Sequence, residues 1–150
     1  MKKFFIAIGF MVSMSIQSQE LNVMTFNIRY NTKNDSLNAW PYRKNNAASQ
    51  IKFHNVHILG VQEALHEQVM DMGHSLSQYK YVGVGRDDGK TKGEYSAIFY
   101  DTIRLKLLQS STFWLSLTPE VPGSKSWDAA ITRIVTWVKF TDARLSLIHI

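Results

Sequence analysis

The stretch Leu21–Tyr30, LNVMTFNIRY, decides the fold, because an apolar, β-prone run ends there in a cluster of polar side chains. Leu21, Val23, Met24, Phe26 and Ile28 predict a strand buried on both faces, as in parallel sheets covered by helices. Asn27 and Arg29 interrupt the run near its carboxyl end, where open α/β sheets bind their ligands. A lone asparagine at that place also suits a turn or a cap, so Asn27 needs company before it carries a function.

Working outward, Asn31–Asn38 is rich in Asn, Asp, Ser and Lys and reads as a loop. Pro41 suits a first helical turn, and Arg43–His54 has helical periodicity, with Ala47, Ala48 and Ile51 on one stripe. His57–Gln62, HILGVQ, is too short for a helix and reads as a second buried strand, completing a βαβ pattern. Glu63 then falls at the carboxyl end of this strand, as Asn27 falls near that of the first. Parallel pairing of the two strands brings amide and carboxylate together. A carboxylate at the end of a buried strand is costly unless it is paired, hydrogen-bonded or bound to a cation. The competing reading is that Glu63 opens the next helix, where an acid complements the dipole.

Further along, Leu65–Leu76 predicts a helix with Leu65, Val69, Met72 and Leu76 on its core stripe, and Tyr79–Val84 a strand. Gly85–Gly93, GRDDGKTKG, lacks P-loop spacing and a full calcium-ligand pattern, so it reads as a mobile surface loop. Glu94–Tyr100 and Ile103–Leu108 read as an antiparallel hairpin turning at Asp101 and Thr102. Ser111–Ser116 continues as a short strand, Thr118–Ser126 as a loop closed by Trp127 and Asp128, and Thr132–Phe140 as a strand with Arg133 at its entrance. A turn is expected at Thr141 and Asp142.

Composition bounds the function classes. A chain of 150 residues with 45% hydrophobic content suits one globular domain or part of a larger one. The formal charge of +5 includes Lys2 and Lys3, and is too small to argue nucleic-acid binding by itself. Cysteine is absent, so disulfides, thiol nucleophiles and cysteine-rich zinc sites are excluded, and any metal must be held by oxygen or imidazole. Residues 1–19 have the charged, apolar and polar zones of a secretory signal in the right order, and the apolar zone is too short to span a bilayer. A periplasmic or secreted protein is therefore expected. The last six residues, Leu145–Ile150, are strand-like. One reverse translation of them, CTG TCT CTT ATA CAC ATC, resembles the end sequence of transposase-made sequencing libraries. A true terminal strand is the plain reading and a non-native tail the second, so the six residues are held doubtful and His149 is given no role.

Four segments taken in order resemble one family. FNIRY at Phe26–Tyr30, VQEA at Val61–Ala64, GEYSAIFY at Gly93–Tyr100 and WDAAITRIVTW at Trp127–Trp137 are similar to the endonuclease/exonuclease/phosphatase superfamily, in particular to its secreted bacterial members. The resemblance implies an α/β fold, the amino-terminal part of a four-layer α/β/β/α sandwich of the deoxyribonuclease-like kind, in residues 20–144. It also implies hydrolysis of phosphate esters with magnesium, or manganese in its place. Glu63 matches the family's metal-binding glutamate and Asn27 the asparagine beside the metal, whose amide holds a metal-bound water or a phosphate oxygen. Glu94 matches an acid that orients a catalytic histidine, and Arg133 an arginine that contacts the phosphate. Residue by residue, the alternatives are a cross-strand ion pair for Glu94 and a solvated strand end for Arg133.

The family's later blocks, an Asn-Thr-His strand end, a Gly-Asp-x-Asn turn and a closing Ser-Asp-His, do not occur in this sequence. The chain is therefore expected to be truncated and inactive as written, with a long exposed sheet edge. Nucleic acid, a phospholipid head group and a small phosphate all remain open as substrate; no protein partner is inferred and a monomer is expected. The rival function is an exported, non-catalytic binding module that recognises sugar or phosphate through Trp114, Trp127 and Arg133. Core packing explains those tryptophans equally well.

Overall fold

The computed structural model describes residues 20–142 and the strand Leu147–His149; the leader assigned to residues 1–19, and most of the doubtful tail, lie outside the described residues. The elements run β1 (Val23–Asn27), α1 (Trp40–Phe53), β2 (Ile58–Ala64), α2 (His66–Ser75), β3 (Tyr79–Val82), β4 (Tyr95–Asp101), β5 (Leu105–Trp114), β6 (Ile134–Asp142) and β7 (Leu147–His149). A four-stranded sheet has the order β1-β2-β4-β3, and a three-stranded sheet the order β5-β6-β7.

The expected βαβ unit is present. β1 and β2 are parallel, with Asn27 opposite Gln62, and α1 crosses between them with Pro41 in its first turn. The predicted stripe of α1, Ala47, Ala48 and Ile51, is buried with Val69, Met72 and Leu76 against Leu59, Val61, Ala97 and Phe99 of the first sheet. The two helices are also tied by polar contacts, since Asp71 accepts the Trp40 indole N–H at 2.9 Å and faces Lys44 at 3.3 Å. On its other face the first sheet packs through Ile58, Ile98 and Tyr100 on Leu105, Val138 and Phe140 of the second. The Tyr100 and Phe140 rings meet across that interface at 4.9 Å. Helices, sheet and sheet make three successive layers of an α/β/β/α sandwich, and Val135 and Trp137 stand exposed on β6.

Several local expectations are corrected. β1 is not buried on both faces: Met24 and Phe26 are half-buried against the helix layer while Val23, Thr25 and Asn27 are exposed, because β1 is the edge of its sheet. Asn31–Asn38 is more ordered than a loop, with 3-10 turns over Lys33–Asn38. β4 and β5 form no hairpin. β4 is a central strand paired with β2 and β3, whereas β5 pairs with β6 in the other sheet, so Thr102–Arg104 is a corner between sheets. β5 runs unbroken from Leu105 to Trp114, absorbing an irregularity between Leu107 and Gln109. The turn expected at Thr141 and Asp142 is instead the end of β6.

Asp142 closes a buried polar cluster at the end of the sandwich where β1 and β2 begin. Its carboxylate accepts Arg104 Nε at 2.8 Å, and Arg104 Nη1 reaches the Glu20 carbonyl and lies 3.1 Å from His57 Nε2.

Candidate active site

At the opposite end, the carboxyl ends of β1, β2 and β5 meet the amino ends of β4 and β6 around a cavity of about 330 Å³. Its lining includes Asn27, Glu63, Arg86, Glu94, Thr132 and Arg133. The four residues singled out in the sequence, Asn27, Glu63, Glu94 and Arg133, thus share one pocket although they lie on four different segments.

Asn27 and Glu63 are in direct contact, with Asn27 Nδ2 donating to Glu63 Oε1 at 2.8 Å. The amide orientation follows from its other bond: Asn27 Oδ1 accepts the backbone N–H of Arg29 at 2.8 Å, and only the oxygen can accept. Asn27 therefore offers its amine side to the Glu63 carboxylate, while its oxygen is engaged by the main chain. Glu63 does not open a helix. It sits within β2, at an irregularity in the pairing with β4 between Val61 and Ala64, with φ of +60°. A non-glycine residue in the left-handed region stores backbone strain of about 1–3 kcal/mol, and such strain clusters at functional sites.

The turn after β1 is held from below. Arg29 also has positive φ, at 55°, and its guanidinium forks onto Asp35 with two bonds of 2.6 Å, which holds the Asp35 carboxyl below the usual carboxylate range. Gln68, fully buried on α2, donates to the Arg29 carbonyl at 2.9 Å and accepts from the Asn31 and Leu65 amides at 2.8 and 3.1 Å. Arg43 of α1 donates to the Ile28 and Arg29 carbonyls. These two long polar side chains lock the exit of β1 to both helices, and no periodicity in the sequence marks them out.

Glu94 does form an ion pair across an antiparallel contact, since the Gly85–Tyr95 bridge sets Arg86 opposite it. Its carboxylate accepts Arg86 Nη1 at 2.8 Å, and Arg86 comes from the loop before β4. Arg133 precedes β6, is exposed, and makes no side-chain hydrogen bond among the described residues; its carbonyl accepts from the Leu115 amide at 2.8 Å. The loop Gly85–Gly93 is braced by hydrogen bonds of its own. Asp88 caps the Lys90 and Lys92 amides at 2.8 and 3.0 Å, and these bonds hold its carboxyl below the usual range. Of the tryptophans weighed for sugar recognition, Trp114 is buried and donates its indole N–H to the Arg86 carbonyl at 2.6 Å, whereas Trp127 is 67% exposed.

The donor set fits a hard divalent cation. Glu63 brings one carboxylate to an open, polar pocket, and magnesium is commonly held by one or two carboxylates with water and substrate phosphate completing its shell. Among the described residues no three His, Asp or Glu side chains cluster tightly enough to enclose a metal without such help.

Two helices and two sheets joined in this order, with the pocket at the ends of the parallel pair, define the deoxyribonuclease-like class of α/β sandwiches. The chain belongs to the endonuclease/exonuclease/phosphatase family. It is similar to the solved structure of the endonuclease/exonuclease/phosphatase from Bacteroides vulgatus, at 45% identity over 83% of this chain and 47% of that one, with a TM-score of 0.78. A family protein from Bacteroides thetaiotaomicron matches at 41% identity over 86% of this chain and 46% of that one, with a TM-score of 0.82. A mannosyl-6-phosphatase from Bacteroides thetaiotaomicron matches at 41% identity over 87% of this chain and 49% of that one, with a TM-score of 0.83. The chain thus spans under half the length of these proteins. No protein-family profile and no curated protein matches the sequence.

Proposed function

We propose that this chain is the amino-terminal part of an exported, divalent-metal-dependent hydrolase of phosphate esters, called the parent below. The observation that carries the reading is the 2.8 Å contact between Asn27 and Glu63 at a pocket they share with Glu94 and Arg133. Glu63 is the carboxylate that holds magnesium or manganese. Such an ion, when bound, supplies Lewis-acid polarisation of a phosphate oxygen. Asn27 holds the Glu63 carboxylate in place and keeps an amide N–H for a phosphate oxygen or an ordered water. Arg133, exposed and without a side-chain hydrogen bond among the described residues, meets the negative charge of the phosphate. Glu94, held by Arg86, orients a base that this sequence does not contain.

The reaction class is displacement at phosphorus by water, forming one P–O bond and breaking the ester P–O bond. The likeness to a mannosyl-6-phosphatase supports a small phosphate ester as substrate over nucleic acid or a phospholipid head group. Export rests on the three-zone leader of residues 1–19. Because the histidine and aspartate blocks of the family do not occur here, the chain by itself is expected to hydrolyse nothing.

The test is magnesium-dependent hydrolysis of p-nitrophenyl phosphate, bis-p-nitrophenyl phosphate and hexose 6-phosphates by the parent. Glu63→Ala should abolish turnover and magnesium binding together. Undiminished activity in that variant sinks the assignment. Metal titration separates the rival binding module, which needs no magnesium to hold its ligand.

A further inference from the structure

Arg86 was given no role by the sequence, yet it lines the same pocket as Glu63 and Arg133. Its side chain is only 17% exposed, and burying a guanidinium is costly unless its donors are satisfied. They are not. Of the five N–H donors of an arginine, the Nη1 bond to Glu94 at 2.8 Å is the one side-chain hydrogen bond that Arg86 makes among the described residues. Nε is sealed from solvent without a partner, and Asp87 Oδ1, at 3.8 Å, is beyond hydrogen-bond reach of it. Closed to solvent, Nε is closed to a ligand as well, so the donors left for one are the remaining Nη hydrogens, a positively charged fork at the pocket wall suited to phosphate.

The loop that presents this fork is built so that it cannot retreat. Main-chain bonds cross the loop from Gly85 to Lys90, from Arg86 to Glu94 and from Asp87 to Lys92, at 3.0–3.2 Å. Gly85 lies so close to Lys92 that an added Cβ would fall 2.2 Å from its carbonyl oxygen. Gly93 has φ of +80°, and a Cβ there would meet the Asp87 carboxylate at 2.6 Å. The Trp114 indole pins the Arg86 carbonyl to β5 of the second sheet. Glu94 fixes the plane of the guanidinium, and Thr132, next to Arg133, donates to Asp87 at 3.3 Å. The Arg86 loop and the Arg133 segment are thereby joined.

From these contacts we infer that Arg86 is a second phosphate-binding arginine of the site. It grips the phosphate oxygens through its remaining Nη hydrogens while Glu94 holds its orientation. The inference rests on the phosphoesterase reading given above, and adds that phosphate is clamped between guanidiniums from two braced segments. Lysine cannot replace Arg86, because a point charge lacks the planar fork that serves Glu94 and phosphate together.

The experiment is calorimetric titration of the parent with inorganic phosphate at saturating magnesium, paired with titration of magnesium alone. Arg86→Lys should weaken phosphate by about ten- to hundredfold, the range for loss of charge-assisted hydrogen bonds, and leave magnesium affinity within about twofold. Unchanged phosphate affinity in Arg86→Lys overturns the inference and leaves the role of Glu63 standing. A second measurement needs no folded variant: in the unaltered parent, the Arg86 side-chain Nη–H resonance should shift as phosphate is added, and a static resonance is a refutation. If the unaltered parent binds neither magnesium nor phosphate, the inference and the reading beneath it fall together. An Arg86 that served only to brace Glu94 would move neither the resonance nor the phosphate affinity.

Discussion

Asn27 Nδ2 donates to Glu63 Oε1 at 2.8 Å, joining the ends of two neighbouring parallel strands through side chains beside the main-chain bond from the Ile28 N–H to the Gln62 carbonyl at 3.2 Å. Because Asn27 Oδ1 is engaged by the Arg29 amide, the asparagine acts on Glu63 as an oriented donor. On the metal-binding role proposed for Glu63, removing such a partner should cost about ten- to hundredfold in affinity. Asn27→Ala should weaken magnesium by that factor in calorimetry, with the fold preserved by circular dichroism. Asn27→Asp retains the acceptor for Arg29 but sets a second carboxylate against Glu63. Its melting temperature should fall without metal and recover with it. A metal affinity untouched by Asn27→Ala would show the contact to be incidental.

Glu63 occupies a left-handed backbone conformation that glycine adopts without cost. A left-handed L-residue is disfavoured by roughly 1–2 kcal/mol, so Glu63→Gly should leave the folded state as stable as the parent or slightly more so in urea denaturation. The same variant should bind no magnesium. Stability gained where binding is lost marks a residue kept for function rather than folding. A clear loss of stability in Glu63→Gly would instead make the carboxylate part of the scaffold.

How much of this was readable beforehand depends on how local each signal is. The βαβ unit was legible because run length and the Ala47, Ala48 and Ile51 stripe are local, and once β1 and β2 are parallel the meeting of Asn27 and Glu63 follows. The exposure of β1 was not legible, since an apolar run does not say whether its strand will be central or at an edge. The false hairpin of β4 and β5 has the same origin. Two adjacent strands separated by Asp101 and Thr102 look paired, but β4 finds β2 and β3, and β5 finds β6 a long way down the chain. Arg86 was not legible, because its loop matches neither P-loop spacing nor a calcium-ligand pattern and so reads as surface. The bracing by Asp88, Asp87 and Trp114 is a set of side-chain to main-chain and cross-loop contacts that composition does not reveal. An arginine eight residues before the matched acid was the available clue, and nothing in its spacing distinguishes it from a surface charge.

At the far end of the sandwich, Arg104 and Asp142 form an ion pair whose side chains are 5% and 0% exposed. Arg104 Nη2 is already sealed without a hydrogen bond, so the cluster has little tolerance for a further loss. Truncating one partner of a buried pair typically costs about 3–5 kcal/mol, because the other charge is left in low dielectric. Asp142→Ala should lower the urea midpoint by an amount in that range. The double change Arg104→Met with Asp142→Leu should cost much less, since both charges leave together. A cost below about 1 kcal/mol for Asp142→Ala would mean that Arg104 finds water or another acceptor.

One alkaline-sensitive group of the fold is Tyr95, beside the Gly85–Gly93 loop. Burial, then the nearby Tyr81 and Asp88, push its phenol up to about 12. The hydroxyl donates to the Lys90 carbonyl at 2.7 Å and lies 2.9 Å from His66 Nδ1, so it ties the loop to β4 and α2. The unfolded chain releases this proton near the ordinary value of about 10. Stability from the neutral phenol is therefore complete below pH of about 10 and is lost as pH rises toward about 12. Tyrosinate cannot donate to the Lys90 carbonyl, so loop and strand should separate in that window. Melting temperature followed against tyrosinate absorbance should fall there in the unaltered protein. Tyr95→Phe keeps the ring in its buried place but has no proton to lose. It should start less stable by about 1 kcal/mol, the usual worth of a hydrogen bond, and then stay flatter across the same pH range. Hydrogen exchange at Lys90 and Lys92 should be faster in Tyr95→Phe at neutral pH. Parallel alkaline profiles for the two proteins would remove Tyr95 as the anchor of the loop.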